Sequence, residues 1–248
     1  MVKIGNYFQF LFYVIIFIRI VICVGIFSFL KKQKKENLDY ESTLNSDLKA
    51  RDFNGDITLL IIADTHGSLA LNKDLQKKVK YAKYDLCCVL GDIHDYDYKF
   101  ILETVPKEKI VALLGNHDRY TLLKEYDIED LNGKVIEFNN IKIGGIQGCF
   151  RYKNDDFPSF THEESIDFMN NMESCDILLS HDKPFIFDYK DLVHDGLKGI
   201  TKYLYDNQVP INIHGHIHDS YESKLKNNTL VKGVYLVEIV KLKTGKTW

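Results

Sequence analysis

Short runs of consecutive apolar residues recur along the chain from residue 57 onward, and most are followed by Gly, Asp, Asn or His. Runs of this length without alternation are typical of strands that are buried on both faces. We predict strands at 57–62, 86–90, 110–114, 134–138, 141–146, 177–179 and 211–213. The tail, 229–232 and 234–242, is predicted to form a hairpin that turns at Gly233.

Segments with helical periodicity separate most of these strands. Apolar residues spaced three or four apart predict helices at 70–83, 99–104, 163–173 and 197–206. Strands that alternate with helices indicate a layered α/β fold. The consecutive strands within 134–146 and 229–242 further indicate either a mixed sheet or two sheets packed face to face.

A different pattern occupies the beginning of the chain. Residues 8–30 form a 23-residue apolar stretch with only three polar interruptions. As a helix it would be about 34 Å long, enough to cross a bilayer core of about 30 Å. A cleavable signal peptide is the alternative, but its apolar core would be shorter and would end in small residues. We predict a transmembrane anchor over 1–30, a basic and then polar linker over 31–55, and one folded domain over 56–248.

Charge is distributed unevenly along the sequence. The net charge is −3, but residues 1–35 carry six Lys or Arg and no acid, so residues 36–248 hold 26 basic against 35 acidic residues. Four lysines follow the apolar stretch and one precedes it, which places the C-terminal side in the cytoplasm by the positive-inside rule. The acidic main part argues against binding along a nucleic-acid backbone. Five irregularly spaced Cys predict reduced thiols.

Five polar motifs each follow an apolar run. A parallel sheet collects the carboxyl ends of its strands at one edge, where such folds bind ligands, so we expect the motifs to meet there. Imidazoles, carboxylates and an amide together are typical of a metal site, and two metals could be held. The motifs are Asp64-Thr65-His66, Gly91-Asp92-Ile93-His94-Asp95, Gly115-Asn116-His117-Asp118, Ser180-His181-Asp182 and His214-Gly215-His216-Ile217-His218.

The order of these motifs and the residues in them resemble those of the calcineurin-like metallophosphoesterase superfamily, over residues 57–219. The resemblance implies a layered β-sandwich of mixed sheets flanked by helices. It also implies two divalent cations, drawn from Mn, Fe, Zn, Co or Ni. By the resemblance, one cation is held by Asp64, His66 and His218, the second by Asn116, His181 and His216, and Asp92 bridges them.

The bridging role suits Asp92, because a carboxylate can give one oxygen to each of two cations. Cations about 3.5–4 Å apart can share a water and lower its pKa, which gives a hydroxide nucleophile near neutral pH. His117 resembles the family's general acid, which protonates the leaving oxygen. Asp95 resembles the carboxylate that orients that histidine and favours its protonated form. Arg151 and His194 lie between motifs, in segments that shape the substrate pocket in this superfamily. They are candidates for contacting phosphate, and a solvated loop is the alternative.

These features predict a hydrolase of phosphodiesters or phosphomonoesters that depends on two metal ions. Tyr96 and Leu114 stand where serine/threonine protein phosphatases of this superfamily have arginines, which argues against that group. The apolar stretch leaves a membrane-associated pyrophosphohydrolase of lipid-linked or nucleotide-sugar substrates as an alternative. A non-catalytic metal-binding scaffold is the alternative of another class. The expected partners are a small phosphorylated substrate and the membrane, with the catalytic domain in the cytoplasm.

Overall fold

The computed structural model describes residues 47–185 and 194–247, together with 32, 40 and 42–44. Among these residues, no helix is both long enough and apolar enough to cross a bilayer. The predicted anchor over 1–30 lies outside the described residues, and so does most of the linker before residue 47.

Two six-stranded mixed sheets form the unit made by residues 45–248. The strands of the first sheet are β1 (Ile57–Ala63), β2 (Leu86–Val89), β3 (Ile110–Ala112), β4 (Glu129–Asp130), β13 (Leu236–Lys243) and β14 (Lys246–Thr247). Their order is β14-β13-β1-β2-β3-β4. Strands β1 to β4 run parallel, and β13 pairs antiparallel with both β1 and β14.

The second sheet has a similar mixed character. Its strands are β5 (Val135–Phe138), β6 (Ile141–Ile146), β9 (Ile177–Ser180), β10 (Ile211–His214), β11 (Tyr221–Lys224) and β12 (Leu230–Gly233). Their order is β11-β12-β10-β9-β6-β5, with parallel pairing in the centre and an antiparallel strand at each edge. A separate parallel pair is formed by β7 (Cys149–Phe150) and β8 (Ser159–Phe160).

Six helices lie along the described part of this unit. They are α1 (Ser68–Leu71), α2 (Lys73–Lys80), α3 (Asp95–Thr104), α4 (Leu122–Tyr126), α5 (His162–Asn170) and α6 (Lys198–Asp206). The single helix predicted at 70–83 is therefore two. Asn72 has an extended backbone, and its side chain accepts hydrogen bonds from the N–H groups of Asp74 and Leu75, so it ends α1 and caps α2.

The core is organised in layers. Leu59 and Ile61 of β1 pack with Ile213 of β10 in a cluster between the two sheets. Leu60 and Ile62 point to the opposite face and pack with residues of α1 to α4. Residues of β9 pack in the same way against α5 and α6. Both faces of the central strands are buried, which explains their unbroken apolar runs, and mixed sheets flanked by helices agree with the predicted fold class.

The tail does not form the predicted hairpin. β12 ends at Gly233 and pairs with β10 and β11 in the second sheet, whereas β13 begins at Leu236 and pairs with β1 in the first. The chain crosses between the sheets at residues 234–235. Each strand gains a neighbour in a sheet whose core it completes, as the burial of Val231 and Val240 shows, and this outweighs the local turn signal of Gly233.

Candidate metal centre

The predicted ligands come from loops at the carboxyl ends of strands in both sheets. Asp64 directly follows β1, and His181 directly follows β9. Among the described residues, two groups of side chains have ligand atoms within 4.8 Å of one another. The two groups are Asp64, His66 and His218, and Asp92, His181 and His216. Residues spread over more than 150 positions of the sequence are thus brought to one place.

The backbone at these loops is conformationally unusual. Non-glycine residues rarely adopt a positive φ, and such conformations cluster at functional sites where the surroundings hold them in place. Five of the seven predicted ligands have a positive φ: Asp64 (53°), His66 (45°), Asp92 (56°), His216 (66°) and His218 (54°). The fold therefore imposes these backbone conformations at the same positions that the motifs predict to bind metal.

Asp64 is the buried member of the first group. Its Oδ2 accepts a hydrogen bond from the His216 N–H at 2.8 Å. Its Oδ1 is buried without a hydrogen-bond partner among the described residues, and lies 3.7 Å from Nε2 of His218. The pKa of Asp64 is raised to about 8, mainly because the carboxyl is buried and secondly because the charge of Asp92 is nearby. An unsatisfied buried carboxylate oxygen beside imidazole nitrogens is suited to a cation, which would stabilise the ionised form.

His181 anchors the second group. Its Nδ1 lies 2.7 Å from the Leu90 carbonyl oxygen, which can only accept, so Nδ1 carries the proton. Burial lowers the pKa of His181, and in the neutral ring Nε2 then presents a lone pair to the site. That nitrogen lies 3.0 Å from Oδ1 of Asn116. Two lone pairs facing each other at this distance are suited to a shared cation.

Asp92 belongs to the second group and also faces the first. Its Oδ2 is 3.6 Å from Nε2 of His66 in the first group and 3.7 Å from Nε2 of His181 in the second. Its Oδ1 accepts a hydrogen bond from the His117 N–H at 2.8 Å. The carboxylate therefore faces an imidazole nitrogen of each group.

Gly115 is required by this arrangement. A Cβ at position 115 would lie 2.1 Å from Oδ1 of Asp92 and 2.6 Å from the His181 ring. A side chain there would displace the carboxylate between the two groups, so the close approach of backbone and ligands explains the glycine at this motif position.

His117, predicted to be the general acid, is exposed at the site, with its ring centroid 5.3 Å from that of His66. Asp95, predicted to orient it, has other partners in the structure. Both Asp95 oxygens accept hydrogen bonds from Arg119, at 2.9 and 3.1 Å, and one also accepts from the Tyr126 hydroxyl at 3.0 Å. Arg119, and then Tyr126, lower the pKa of Asp95. No hydrogen bond from His117 to Asp95 is present among the described residues.

The two predicted substrate-binding residues differ in placement. His194 lies beside the second group, with its ring centroid 5.1 Å from that of His216. Arg151 instead donates hydrogen bonds to Glu164 and to the Ser159 carbonyl, at 3.0 and 3.2 Å. Since Glu164 neutralises it, Arg151 is less suited to phosphate in this conformation than its sequence position indicates.

Two buried carboxylates that sequence reasoning gave no role hold the ligand loops. Asp118 accepts from the N–H groups of Asp92 at 2.8 Å and Gly115 at 2.8 Å, and burial and Asp92 raise its pKa to about 7. Asp97 is fully buried and accepts from Thr65 Oγ1 and from the Gly67 N–H at 2.8 Å. One sequence signal for the burial of Asp97 is its spacing, because it lies four residues before Ile101 and therefore on the same, buried face of α3.

Comparison with known proteins agrees with this geometry. The sequence model of the family described as calcineurin-like phosphoesterase matches residues 57–220. A comparison with curated proteins found no significant match. A phosphopantetheinyl hydrolase from Mycobacterium tuberculosis is similar in structure, with a TM-score of 0.52 and 11% identity, over 73% of this chain and 90% of that one. TT1561 of Thermus thermophilus has a TM-score of 0.51 and 11% identity, over 76% and 99%. At such identities the likeness concerns the fold alone.

Proposed function

The chain belongs to the calcineurin-like phosphoesterase family, and we propose that it hydrolyses phosphate esters at the centre built around Asp92. The observation that carries the proposal is the pair of ligand groups, in which the Asp92 carboxylate of the second group also faces His66 of the first. Two adjacent groups of mixed nitrogen and oxygen donors are the arrangement that a two-metal hydrolase requires. We assign Asp64, His66 and His218 to one cation, Asn116, His181 and His216 to the other, and Asp92 to both.

Two bound divalent cations would supply Lewis-acid polarisation of the phosphoryl oxygens and an activated water. The chain's own residues position the substrate and handle the leaving group. His117 is exposed, its backbone N–H donates to Oδ1 of Asp92, and its ring lies beside that of His66, a proposed metal ligand. We assign it the transfer of a proton to the leaving oxygen, which stabilises that oxygen as the P–O bond breaks.

The test is hydrolysis by the full chain with added Mn²⁺, comparing an aryl phosphomonoester with an aryl phosphodiester. We expect turnover that a chelator abolishes and that Asp92→Ala lacks. Replacing His117 by alanine should lower turnover by about 10²–10⁴-fold, the usual contribution of general acid catalysis, while the bound metal is retained.

The pattern of results separates the candidate functions. Preference for the diester would indicate a phosphodiesterase, and preference for the monoester a phosphatase. Metal-loaded protein that turns over neither ester, across several cations, would contradict the proposal and favour a pyrophosphate substrate or a non-catalytic scaffold. Unchanged turnover in His117→Ala would remove that residue from the mechanism.

A further inference from the structure

The exposed side of the metal centre is lined by a row of four rings. His117, His66, His218 and Tyr235 follow one another with ring centroids 5.3, 5.2 and 5.2 Å apart. All four are exposed, whereas the second ligand group is buried. The row is therefore a side of the centre that a molecule from solvent can reach.

Tyr235 ends this row and is the member with no role so far. Its ring stacks on that of His218, with 19° between the ring planes, and the residue is 37% exposed. The Tyr235 N–H donates to Oγ of Ser220 at 3.2 Å, in the loop that follows His218. Leu236, the next residue, pairs with Ala63 at the end of β1, so Tyr235 is set beside the start of the Asp64 loop.

The backbone next to Tyr235 is constrained. Leu236 has a φ of 66°, a left-handed conformation that a bulky residue rarely adopts. It is the first residue of β13, directly after the chain has crossed from the second sheet into the first. Such a conformation persists only when the surrounding structure imposes it, which indicates that the backbone next to Tyr235 is held in place beside the loop that carries Asp64.

We propose that Tyr235 determines specificity by binding a planar aromatic group on the leaving alcohol of the substrate. The inference rests on the proposed function, because His117, at the other end of the row, is the residue assigned to protonate the leaving oxygen. A leaving group that starts at His117 and extends past His66 and His218 reaches Tyr235. An aromatic ring there stacks on the exposed tyrosine in an offset or edge-to-face arrangement.

The experiment compares adenosine 5′-monophosphate with ribose 5-phosphate as substrates of the full chain. The same kind of P–O bond is broken in both esters and a primary alcohol is released, and the esters differ at C1 of the ribose, which carries the planar base in one and a hydroxyl in the other. Replacing Tyr235 by alanine should lower kcat/KM for the nucleotide about two- to tenfold more than for the sugar phosphate, the range expected for one aromatic stacking contact. The Tyr235→Phe variant keeps the ring and should retain the wild-type ratio.

Tyr96→Ala is the matched control. Tyr96 is also exposed and stacks on a histidine, His94, at 5.0 Å with 22° between the planes, but His94 belongs to neither ligand group. We expect this variant to leave the ratio of the two substrates unchanged. An equal loss on both substrates in Tyr235→Ala would indicate a merely structural role and would overturn the proposal, as would no loss on either.

Binding of adenosine and of ribose to the Mn²⁺-loaded chain, measured by calorimetry, provides a readout that needs no turnover. Adenosine binding that is weakened in Tyr235→Ala and kept in Tyr235→Phe supports the inference even if neither ester is hydrolysed, in which case the proposed function alone fails. Equal adenosine binding by wild type and Tyr235→Ala, or none by either, would overturn the inference.

Discussion

Asp97 lies outside the motifs and contacts the loop that carries His66, a proposed metal ligand. Its buried carboxylate accepts hydrogen bonds from the side chain of Thr65 and the N–H groups of Gly67 and Ala70, the last at 2.6 Å. These donors surround His66, whose backbone has a positive φ. Since the ligand conformation is not one that the chain adopts readily, the carboxylate holds the loop in place.

Replacing Asp97 by asparagine tests this. The amide keeps the size of the side chain but substitutes a donor for one acceptor, so it faces N–H groups that it cannot satisfy. We expect the apparent affinity for the cation at the His66 group to fall by about tenfold or more, as for other residues that orient metal ligands. Metal titration of the full chain measures this.

Asp74→Asn is the control for that titration, because Asp74 is exposed and pairs with Lys77 on the surface of α2. The control should bind metal as the wild type does. Unchanged metal affinity in a folded Asp97→Asn variant would show that the loop does not need the carboxylate.

At the scale of elements, α5 and α6 meet with unusually close backbones. A Cβ at Gly199 in α6 would lie 2.2 Å from the Ser165 carbonyl oxygen of α5. The Gly199 N–H also donates to Oγ of Ser165 at 3.0 Å. The two helices cover the outer face of the second sheet, from which His181 and His216 emerge, so their spacing supports the second ligand group.

Replacing glycine by alanine in a helix usually stabilises the protein, and we expect Gly199→Ala to destabilise it. At an exposed position inside a helix, alanine is more favourable than glycine by about 1 kcal/mol. Overpacking against backbone that cannot move aside costs about 1–3 kcal/mol, and a contact this short belongs at the upper end. We therefore expect a lower Tm, by about 2–4 °C for each kcal/mol of net destabilisation.

Thermal unfolding of Gly199→Ala is compared with Lys202→Ala, a change at a partly exposed residue of the same helix that pairs with Asp206. The control should stay within about 0.5 kcal/mol of wild type. A Tm that rises in Gly199→Ala would mean that the helices separate at little cost.

At the scale of the whole molecule, periodicity was sufficient to predict the central strands and the layered class. Those strands are buried on both faces, and continuous apolar runs express this directly. The tail was predicted wrongly, because Gly233 is a turn signal whether the chain reverses within a sheet or crosses to the other one. Only the pairing of β13 with β1 distinguishes these outcomes, and that is a tertiary contact.

The candidate site divides in the same way. That the motif side chains come together could be predicted, because each motif follows a strand and the strand ends share an edge. The roles of Asp97 and Tyr235 could not be predicted, because they depend on contacts with loops from distant parts of the chain. The ion pairs of Asp95 with Arg119 and of Arg151 with Glu164 could not be predicted from the sequence either. Each joins side chains from separate loops or elements.

The central claim is a two-metal centre that depends on Asp92, and metal content tests it most directly. The measurement is the number of divalent cations bound per full chain, by elemental analysis after Mn²⁺ loading, in wild type, Asp92→Ala and His117→Ala. We predict two in wild type and in His117→Ala, and loss at both positions in Asp92→Ala, because the carboxylate serves both groups. Two tightly held cations in Asp92→Ala, or only one in wild type, would contradict the account.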